Sequence, residues 1–432
     1  MADSIYRIGL AGFGNVGAGV YKNIIKNREL LASRIGWQLS VDRIAVRNPA
    51  KPREVALPAA LVTTSWQDLV DDPQLDLIVE LIGGVDEARR LVTAALRAGK
   101  AVVTGNKALL AEHGRELFAI AESCGVPIYY EAAVAGGIPI IKTVQDSLIG
   151  NHIESVVGII NGTSNYILSR MADGGLAYDE ALAEAQGLGY AEADPTLDVN
   201  GWDAAHKAII LASLSYGCWV PCEGITVSGI AGIDRADLTF AKKLGYVVKL
   251  LAVIKLHRES GAIEVRVQPS LIAKEHILAS VRGVYNAIMV RGDVVGETLF
   301  YGSGAGQDPT SSSVIADICD AAKHSEAACQ VGFVTHEIYG QPLQIAESIS
   351  KYYLRVDAED RPGVLARIAT VLGQHDVGIL SVIQPETHEE GHAPIVLMLH
   401  FARYGTVQDA LAEIASLDCV RGRPVLMRVE DL

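Results

Sequence analysis

Lys207 closes the stretch YAEADPTLDVNGWDAAHK, residues 190 to 207, where it is the single lysine beside Glu192, Asp194, Asp198 and Asp203. The following run, "GWDAAHKAIILASLSYG", is apolar enough to be a buried helix, which puts Asp203 and Lys207 four residues apart on one face. A carboxylate at that spacing keeps the ammonium charged and gives it a fixed direction, as a proton donor requires. The other carboxylates can hold a substrate ammonium. A buried structural ion pair would explain Asp203 and Lys207 but not the surplus negative charge.

A second set of residues suits a nucleotide. In "YRIGLAGFGNVGAGVYKNII" a short apolar strand turns through Gly12, Gly14 and Gly17 into a run with helical spacing at Val16, Val20 and Ile24. This G-x-G-x-x-G provides a tight bend, a backbone that a pyrophosphate can approach, and close helix packing. The helix N-terminus, with Phe13, Asn15 and Val16 beside the glycines, then meets the phosphates. After the next strand, "WQLSVDRIAVRN", the tip carries Arg47, with Lys51 and Arg53 beyond, where a carboxylate would select NAD. Basic residues there suit NADP, or form a plain solvent-exposed loop. Lys107 in "TGNK" falls where the nicotinamide is expected, or simply starts a surface helix. "EAAVAGGIP" offers backbone carbonyls and Glu131, which suit a small hard cation or a tight turn. "GSGAG", with Gly304 and Gly306, is a second glycine-rich turn before a helix, able to close over a cofactor or merely to join a strand to a helix.

The elements that must position these residues follow from periodicity. Strand-like "LDLIVELIGG", "KAVVTGN" and "VPIYYEAAV" alternate with helical "VDEARRLVTAALRAG" and "KALLAEHGRELFAIAESCG", which predicts a doubly wound parallel sheet over 1–145. An α+β substrate domain is expected over 146–325, its last helix able to pack back on the first domain. A linker follows over 326–349, and 350–432 reads βαββαβ. The chain is thus α/β: a Rossmann-type domain, an α+β domain and a C-terminal βαββαβ module.

Composition excludes several classes. With a net charge of −14 the chain as a whole repels nucleic acid and anionic membrane, and no run of about 18 apolar residues occurs. Six scattered cysteines, with no zinc-ligand spacing, fit a reducing cytoplasm.

"GFGNVG", "TGNKALLA", "EAAVAGGIPII", "NGTSNYIL", "GLGYAEADPTLDVNGWDAAHK" and "GSGAGQDPTSSSV", in this order, closely resemble the homoserine dehydrogenases of the long form, and "VDAEDRPGVLARIATVL" resembles the start of an ACT domain. The resemblance covers essentially the whole chain. It implies NAD- or NADP-dependent interconversion of L-aspartate 4-semialdehyde and L-homoserine, on the route to threonine and methionine. It implies Lys207 as the catalytic lysine and Lys107 as a second lysine near cofactor and substrate. Gly189, Glu192, Asp198 and Asp203 are then the substrate-site residues, with Asp203 also holding Lys207. Glu131, Val134, Gly136 and Ile138 match a site for a monovalent cation, sodium or potassium. A homodimer or homotetramer and threonine bound to the ACT module are further expectations. Where many relatives carry Gly and Ala, "SGAGQDPTSSS" departs and blurs which glycine meets the cofactor. A prephenate or arogenate dehydrogenase with an ACT tail is the alternative enzyme, and a non-catalytic nucleotide sensor the alternative class; the acidic lysine motif disfavours the first, since it would repel a dianionic substrate.

Overall fold

The computed structural model describes residues 4–53, 55–324, 335–385 and 391–432. Of the expected linker, 326–334 lie outside these. The chain divides into two compact units, one of Met1–Ile153, Ile209–Cys222 and Met289–Ile338, the other of Glu154–Ala208, Glu223–Ile288 and Tyr339–Leu432.

The first unit is built on a six-stranded parallel sheet: β1 (Ile5–Ala11), β2 (Gln38–Ala45), β3 (Val62–Thr63), β4 (Leu77–Glu80), β5 (Ala101–Thr104) and β6 (Ile128–Tyr129), in the order β3-β2-β1-β4-β5-β6. The order reverses between β1 and β4, which opens a crevice beyond their carboxyl ends. β4 is buried at every position, as a strand covered by helices on both faces must be. β6 is shorter than "VPIYYEAAV" suggests, because from Glu131 the chain turns into a 3₁₀ helix, Glu131–Ala133. The Gln307–Lys323 helix packs against the Asn15–Lys26 helix: Lys22 Nζ donates to Gln307 Oε1 at 3.0 Å and Asn23 Nδ2 to Ser311 Oγ at 3.0 Å. Its Val314, Ile315 and Ile318 enter the same core as Leu10, Val20 and Ile24.

In the second unit β7 (Ile153–Ile159), β9 (Tyr246–Leu256), β10 (Ile263–Ala273), β16 (Val420–Glu430), β13 (Ile349–Glu359), β15 (His392–Arg403) and β14 (Ile379–Ile383) lie side by side in that order, with β8 (Thr226–Val227) on β10. The chain also forms β11 (Tyr285–Gly292) and β12 (Gly296–Ser303). β13 to β16, with the Val364–Gln374 and Tyr404–Ala415 helices, make the βαββαβ module around Tyr352, Leu354, Ile368, Leu397 and Ile414. This module is not a freely tethered tail. Ser270–Ile272 of β10 pair in parallel with Arg428–Glu430 of β16.

The seam under that pairing is polar and buried. Along β10 the alternate residues Glu264, Arg266, Gln268 and Ser270 are all buried. Arg266 Nε donates to Glu264 Oε1 at 2.7 Å and its Nη2 to Glu430 Oε2 at 2.9 Å; Arg428 donates to Gln268, Ser350 and Ser348 at 3.0, 2.9 and 2.7 Å. The Arg428 guanidinium also lies 4.6 Å from the Tyr404 ring centre. Burial and the neighbouring Arg266 charge lower the Arg428 pKa. A second tie joins the module to the Arg235–Lys243 helix: Arg355 forks onto Asp237 at 2.7 and 3.0 Å, and the Tyr353 hydroxyl donates to the same carboxylate at 2.9 Å.

Candidate active site

At the end of β1 the chain must reverse into a helix. Gly12 does this at φ +99°, and a Cβ there would meet the Leu81 carbonyl oxygen at 2.3 Å. A Cβ on Gly17 would meet the Gly12 oxygen at 2.2 Å, so this glycine allows the Asn15–Lys26 helix to close on the turn. Gly14 differs, since the space around its Cβ is open. It faces a cleft of about 830 Å³ lined by Gly12, Phe13, Gly14, Asn15, Arg47, Lys51 and Gln307, among others, a size suited to a ligand. Val16 is half-buried behind the turn.

The far wall of the cleft is the basic loop after β2. Arg47 and Lys51 are exposed there, whereas Arg53 ties the loop together. The Arg53 guanidinium donates to the carbonyls of Phe13 (3.1 Å), Asn48 (2.8 Å), Pro49 (3.2 Å) and Lys51 (2.7 Å), clamping the loop onto the glycine turn. The sequence shows a run of basic residues; all three line the cleft, and only the fold shows that the Arg53 guanidinium is taken up by the loop's own carbonyls.

Lys107 opens the Lys107–Cys124 helix and is half-buried. Asn106 Oδ1 caps that helix through the Leu109 amide at 3.1 Å, and Asn106 Nδ2 donates to the Gly84 carbonyl at 2.7 Å. Beneath them Glu80, fully buried, accepts from Thr104 Oγ1 (2.6 Å) and the Ile82 amide (3.0 Å). Burial pushes the Glu80 carboxyl up despite those donors. "ELIGG" and "TGNK" are therefore one hydrogen-bonded assembly, and Glu80 and Asn106 are its unforeseen members.

Around Glu131 the chain collects carbonyls and buried charge. The Glu131 carboxylate accepts from the Ile141 and Lys142 amides at 2.8 and 2.9 Å, and its own amide donates to Asp317 Oδ2 at 2.8 Å. Burial, then the Glu131 charge, pushes Asp317 up to about 8; burial likewise raises Glu131. Val134 and Ile138 are buried, Ala135 and Gly136 take positive φ of 55° and 49°, and the Gly136 carbonyl accepts from Ser313 Oγ at 2.6 Å. Lys142 pairs with Asp320. Two adjoining buried carboxylates and a loop rich in carbonyls thus gather acceptor oxygens at one place. Gly304 packs against this loop, its carbonyl oxygen 2.5 Å from where a Gly136 Cβ would stand; Gly306, at φ +126°, leads to Gln307 in the cleft wall.

The lysine motif folds as its spacing predicts. Trp202–Tyr216 is a helix, and Lys207 Nζ donates to Asp203 Oδ2 at 2.7 Å, with the two side chains 9% and 12% exposed. A second ammonium hydrogen goes to the Ile160 carbonyl at 2.8 Å. Asn161, 4% exposed, places its Nδ2 2.7 Å from Asp198 Oδ1 and 2.8 Å from Asp203 Oδ2. Asp198, on the short Thr196–Val199 helix, thus joins Asp203 through an amide. Thr163 Oγ1 donates to the Tyr190 carbonyl at 2.7 Å and Ser164 Oγ to the Asp198 carbonyl at 2.9 Å, fastening the acidic stretch to the Gly162–Gly174 helix. Glu192 is exposed after the Gly189 turn (φ +75°), its carbonyl held by Gln186 Nε2 at 3.1 Å. Asp194 serves its own turn, accepting from the Thr196 amide at 3.1 Å, and the Thr196 hydrogen bonds lower its pKa.

Three family models match: "Homoserine dehydrogenase, NAD binding domain" over 12–131, "Homoserine dehydrogenase" over 139–319 and "ACT domain" over 352–419. The homoserine dehydrogenase of Pseudomonas aeruginosa is 43% identical, the match covering 99% of each chain. The chain belongs to the homoserine dehydrogenase family. That of Bacillus subtilis is 38% identical over 98% of each chain. In structure the chain is similar to the homoserine dehydrogenase of Thiobacillus denitrificans, with a TM-score of 0.92, 42% identity and 99% of each chain covered. A hyperthermophilic archaeal homoserine dehydrogenase in complex with NADPH aligns with a TM-score of 0.62 and 28% identity, covering 74% of this chain and 98% of that one. Membership makes the chain an NAD(P)-dependent oxidoreductase interconverting L-homoserine and L-aspartate 4-semialdehyde in amino-acid biosynthesis, with a C-terminal ACT domain. The arogenate or prephenate alternative and the non-catalytic one give way to it. Among the described residues no helix is long and apolar enough to cross a membrane.

Proposed function

We propose that Lys207 exchanges the reaction's proton. The observation that carries this reading is the lysine held by Asp203 at 2.7 Å and by the Ile160 carbonyl at 2.8 Å. An ammonium has three N–H donors, so this arrangement directs two inward and leaves one for a substrate oxygen. A bound nicotinamide coenzyme supplies or takes the hydride. As the aldehyde is reduced, charge develops on its oxygen and Lys207 donates the proton; in the oxidation of homoserine the same nitrogen, deprotonated, accepts the hydroxyl proton. Glu192 and Asp198 hold the substrate ammonium, and Lys107 lies by cofactor and substrate. Replacing Lys207 by Ala lowers turnover about a hundredfold or more while the fold survives. Near-normal turnover with an unchanged pH profile would move the role to Lys107 or to water.

The coenzyme is NADP in preference to NAD. Arg47 and Lys51 on the cleft wall support this, since a guanidinium forks onto a phosphate. Arg47→Ala weakens NADP about tenfold or more and spares NAD, as measured by KM for each; equal loss for both assigns Arg47 to its loop.

Glu131 with the carbonyls of Val134, Gly136 and Ile138 holds a monovalent cation, which fixes this loop and takes no part in proton or hydride transfer. The buried Asp317 beside Glu131 supports a compensating positive charge there. The protein acts in the cytoplasm as a homodimer or homotetramer, and threonine binds the ACT domain at the Asp360–Leu365 turn, where the Val364–Gln374 helix begins. Inhibition requires tighter binding to the less active arrangement. Calorimetry with threonine and rates at millimolar threonine test this; no heat and no change in rate would leave the domain a structural one.

A further inference from the structure

We propose that Asn161 is a positioning residue for the reaction: its side-chain amide clamps Asp198 to Asp203 and so fixes the carboxylate that aims Lys207. The proposal rests on the role of Lys207 argued above.

Residues 160 and 161 make the cradle together. The Ile160 carbonyl receives Lys207 Nζ at 2.8 Å, and the next side chain gives its two amide hydrogens to Asp198 Oδ1 and Asp203 Oδ2 at 2.7 and 2.8 Å. Asp203 Oδ2 is therefore shared between Lys207 and Asn161. The orientation of the carboxamide follows from its surroundings. Asn161 Oδ1 accepts from the Ser164 amide at 2.7 Å, while its nitrogen faces two carboxylates. Turned over, it would set oxygen against oxygens and N–H against N–H, at a site only 4% exposed.

An amide is the side chain this place calls for. Two carboxylates approaching one atom repel each other unless donors separate them. A neutral group with two hydrogens does so without competing with Lys207 for the charge of Asp203. A second lysine would compete; a hydroxyl has one hydrogen for two anions. The charged groups facing Asn161 are Asp198, from the Thr196–Val199 helix, and Asp203, from the Trp202–Tyr216 helix, with Lys207 beyond it.

A plainer role competes: Asn161 is the N-cap of the Gly162–Gly174 helix. The two separate by substitution, because Asp and Ser cap as well as Asn but neither carries the NH₂ group. In the Asp variant a third carboxylate stands among the first two. It works only when one of the three holds a proton, which then takes the place of an amide hydrogen.

Asn161→Asp, Asn161→Ser, Lys207→Met and the double variant Asn161→Ser/Lys207→Met are compared in the whole chain, for homoserine oxidation between pH 6 and 10, about the interval between ordinary carboxyl and lysine titration, into which a carboxyl crowded by two others is raised, with circular dichroism to monitor folding. Both Asn161 single variants should keep the fold and the coenzyme KM while kcat falls about a hundredfold, the cost of a misplaced group. Relative to wild type, the Asp variant should recover as pH falls and the Ser variant should not. Added to Lys207→Met, Asn161→Ser should cost nothing more, since its effect runs through that lysine. Wild-type kcat and pH profile in either folded Asn161 variant overturn the proposal, as does failure of both to fold, which assigns Asn161 to the cap. Full activity of Lys207→Met instead sinks the reading of Lys207, and a further loss in the double variant shows that Asn161 acts elsewhere.

Discussion

The glycine turn can be tested by comparing two added methyl groups. Gly14 has φ −79° and ψ −158°, a conformation open to alanine, and no atom lies within 4 Å of where its Cβ would stand. Gly14→Ala should therefore fold. As the N-cap, Gly14 makes no side-chain cap bond, but glycine is still the better cap, so alanine costs the helix about 0.5–1 kcal/mol. The new methyl, however, projects into the cleft lined by Gly12, Gly14 and Asn15, where the proposed coenzyme site brings the pyrophosphate up to the backbone. Pushing the phosphates back forfeits one charge-assisted hydrogen bond, about 1.5–3 kcal/mol, or roughly 10- to 150-fold in Kd. Gly17→Ala has the opposite signature: the Gly12 oxygen at 2.2 Å leaves no room, and the helix must move off the turn. Its cost, of the order of 1–3 kcal/mol for an overpacked site, appears in stability. Titration with NADPH followed by fluorescence, together with thermal unfolding, separates the two. Wild-type affinity in Gly14→Ala would refute the reasoning, because the cofactor would then not pack against this backbone.

Three further outcomes follow from buried charge. Lys249 is buried and donates to Asn165 Oδ1 at 3.0 Å, and burial, then the Arg282 charge, depresses it to about 8 against the pull of Asp173. Between that value and about 10.4 in the unfolded chain, the unfolded state binds more protons, so stability rises with pH by up to about 1.4 kcal/mol per unit and is independent of this group below. Urea midpoints from pH 7 to 10, about this window, should show a slope that Lys249→Met removes; parallel curves would contradict it. Asp237→Ala leaves Arg355 with Asp234 at 2.7 Å but strips the Tyr353 hydroxyl of its acceptor, a loss of about 3 kcal/mol in chemical denaturation. Truncation before Lys351 removes β16 from β10 and Glu430 from Arg266, so the shortened chain should be markedly less stable or insoluble; a fully stable truncated enzyme would show that the polar seam contributes nothing.

Local chemistry could be read from the sequence wherever it repeats over a few residues. The glycine turn, the Asp203–Lys207 spacing and the βαββαβ order come from short-range patterns, and each has its counterpart in the structure. What escaped reading depends on partners far along the chain. Glu264, Arg266, Gln268 and Ser270 alternate as a solvent-facing strand edge would, yet they are buried because residues about 80 and 160 positions away, Ser348, Ser350, Arg428 and Glu430, cover them. Arg53 is by sequence one more basic loop residue, and its role comes from the four carbonyls that gather round its guanidinium. Nothing in "NGTSNYIL" itself marks Asn161, because the carboxylates its amide reaches, Asp198 and Asp203, lie 37 and 42 positions along the chain, while the Ser164 and Asn165 amides turn back to Asn161. Asp194 shows the converse: a carboxylate counted with the lysine by proximity in sequence serves a local turn.

The central claim is that the Lys207 amine itself carries the proton, and chemical rescue tests it most directly. Lys207→Ala leaves a small cavity beside Asp203 and the Ile160 carbonyl, at a position only 7% exposed, that a small alkylammonium ion can enter and hydrogen-bond as the lysine did. The measurement is kcat for homoserine oxidation by the Lys207→Ala protein with and without added ethylammonium. The account predicts a rate about a hundredfold or more below wild type that rises with ethylammonium and saturates, while the wild-type enzyme does not respond. A Lys207→Ala enzyme that is fast without the amine, or slow and indifferent to it while still binding coenzyme and homoserine, would contradict the claim.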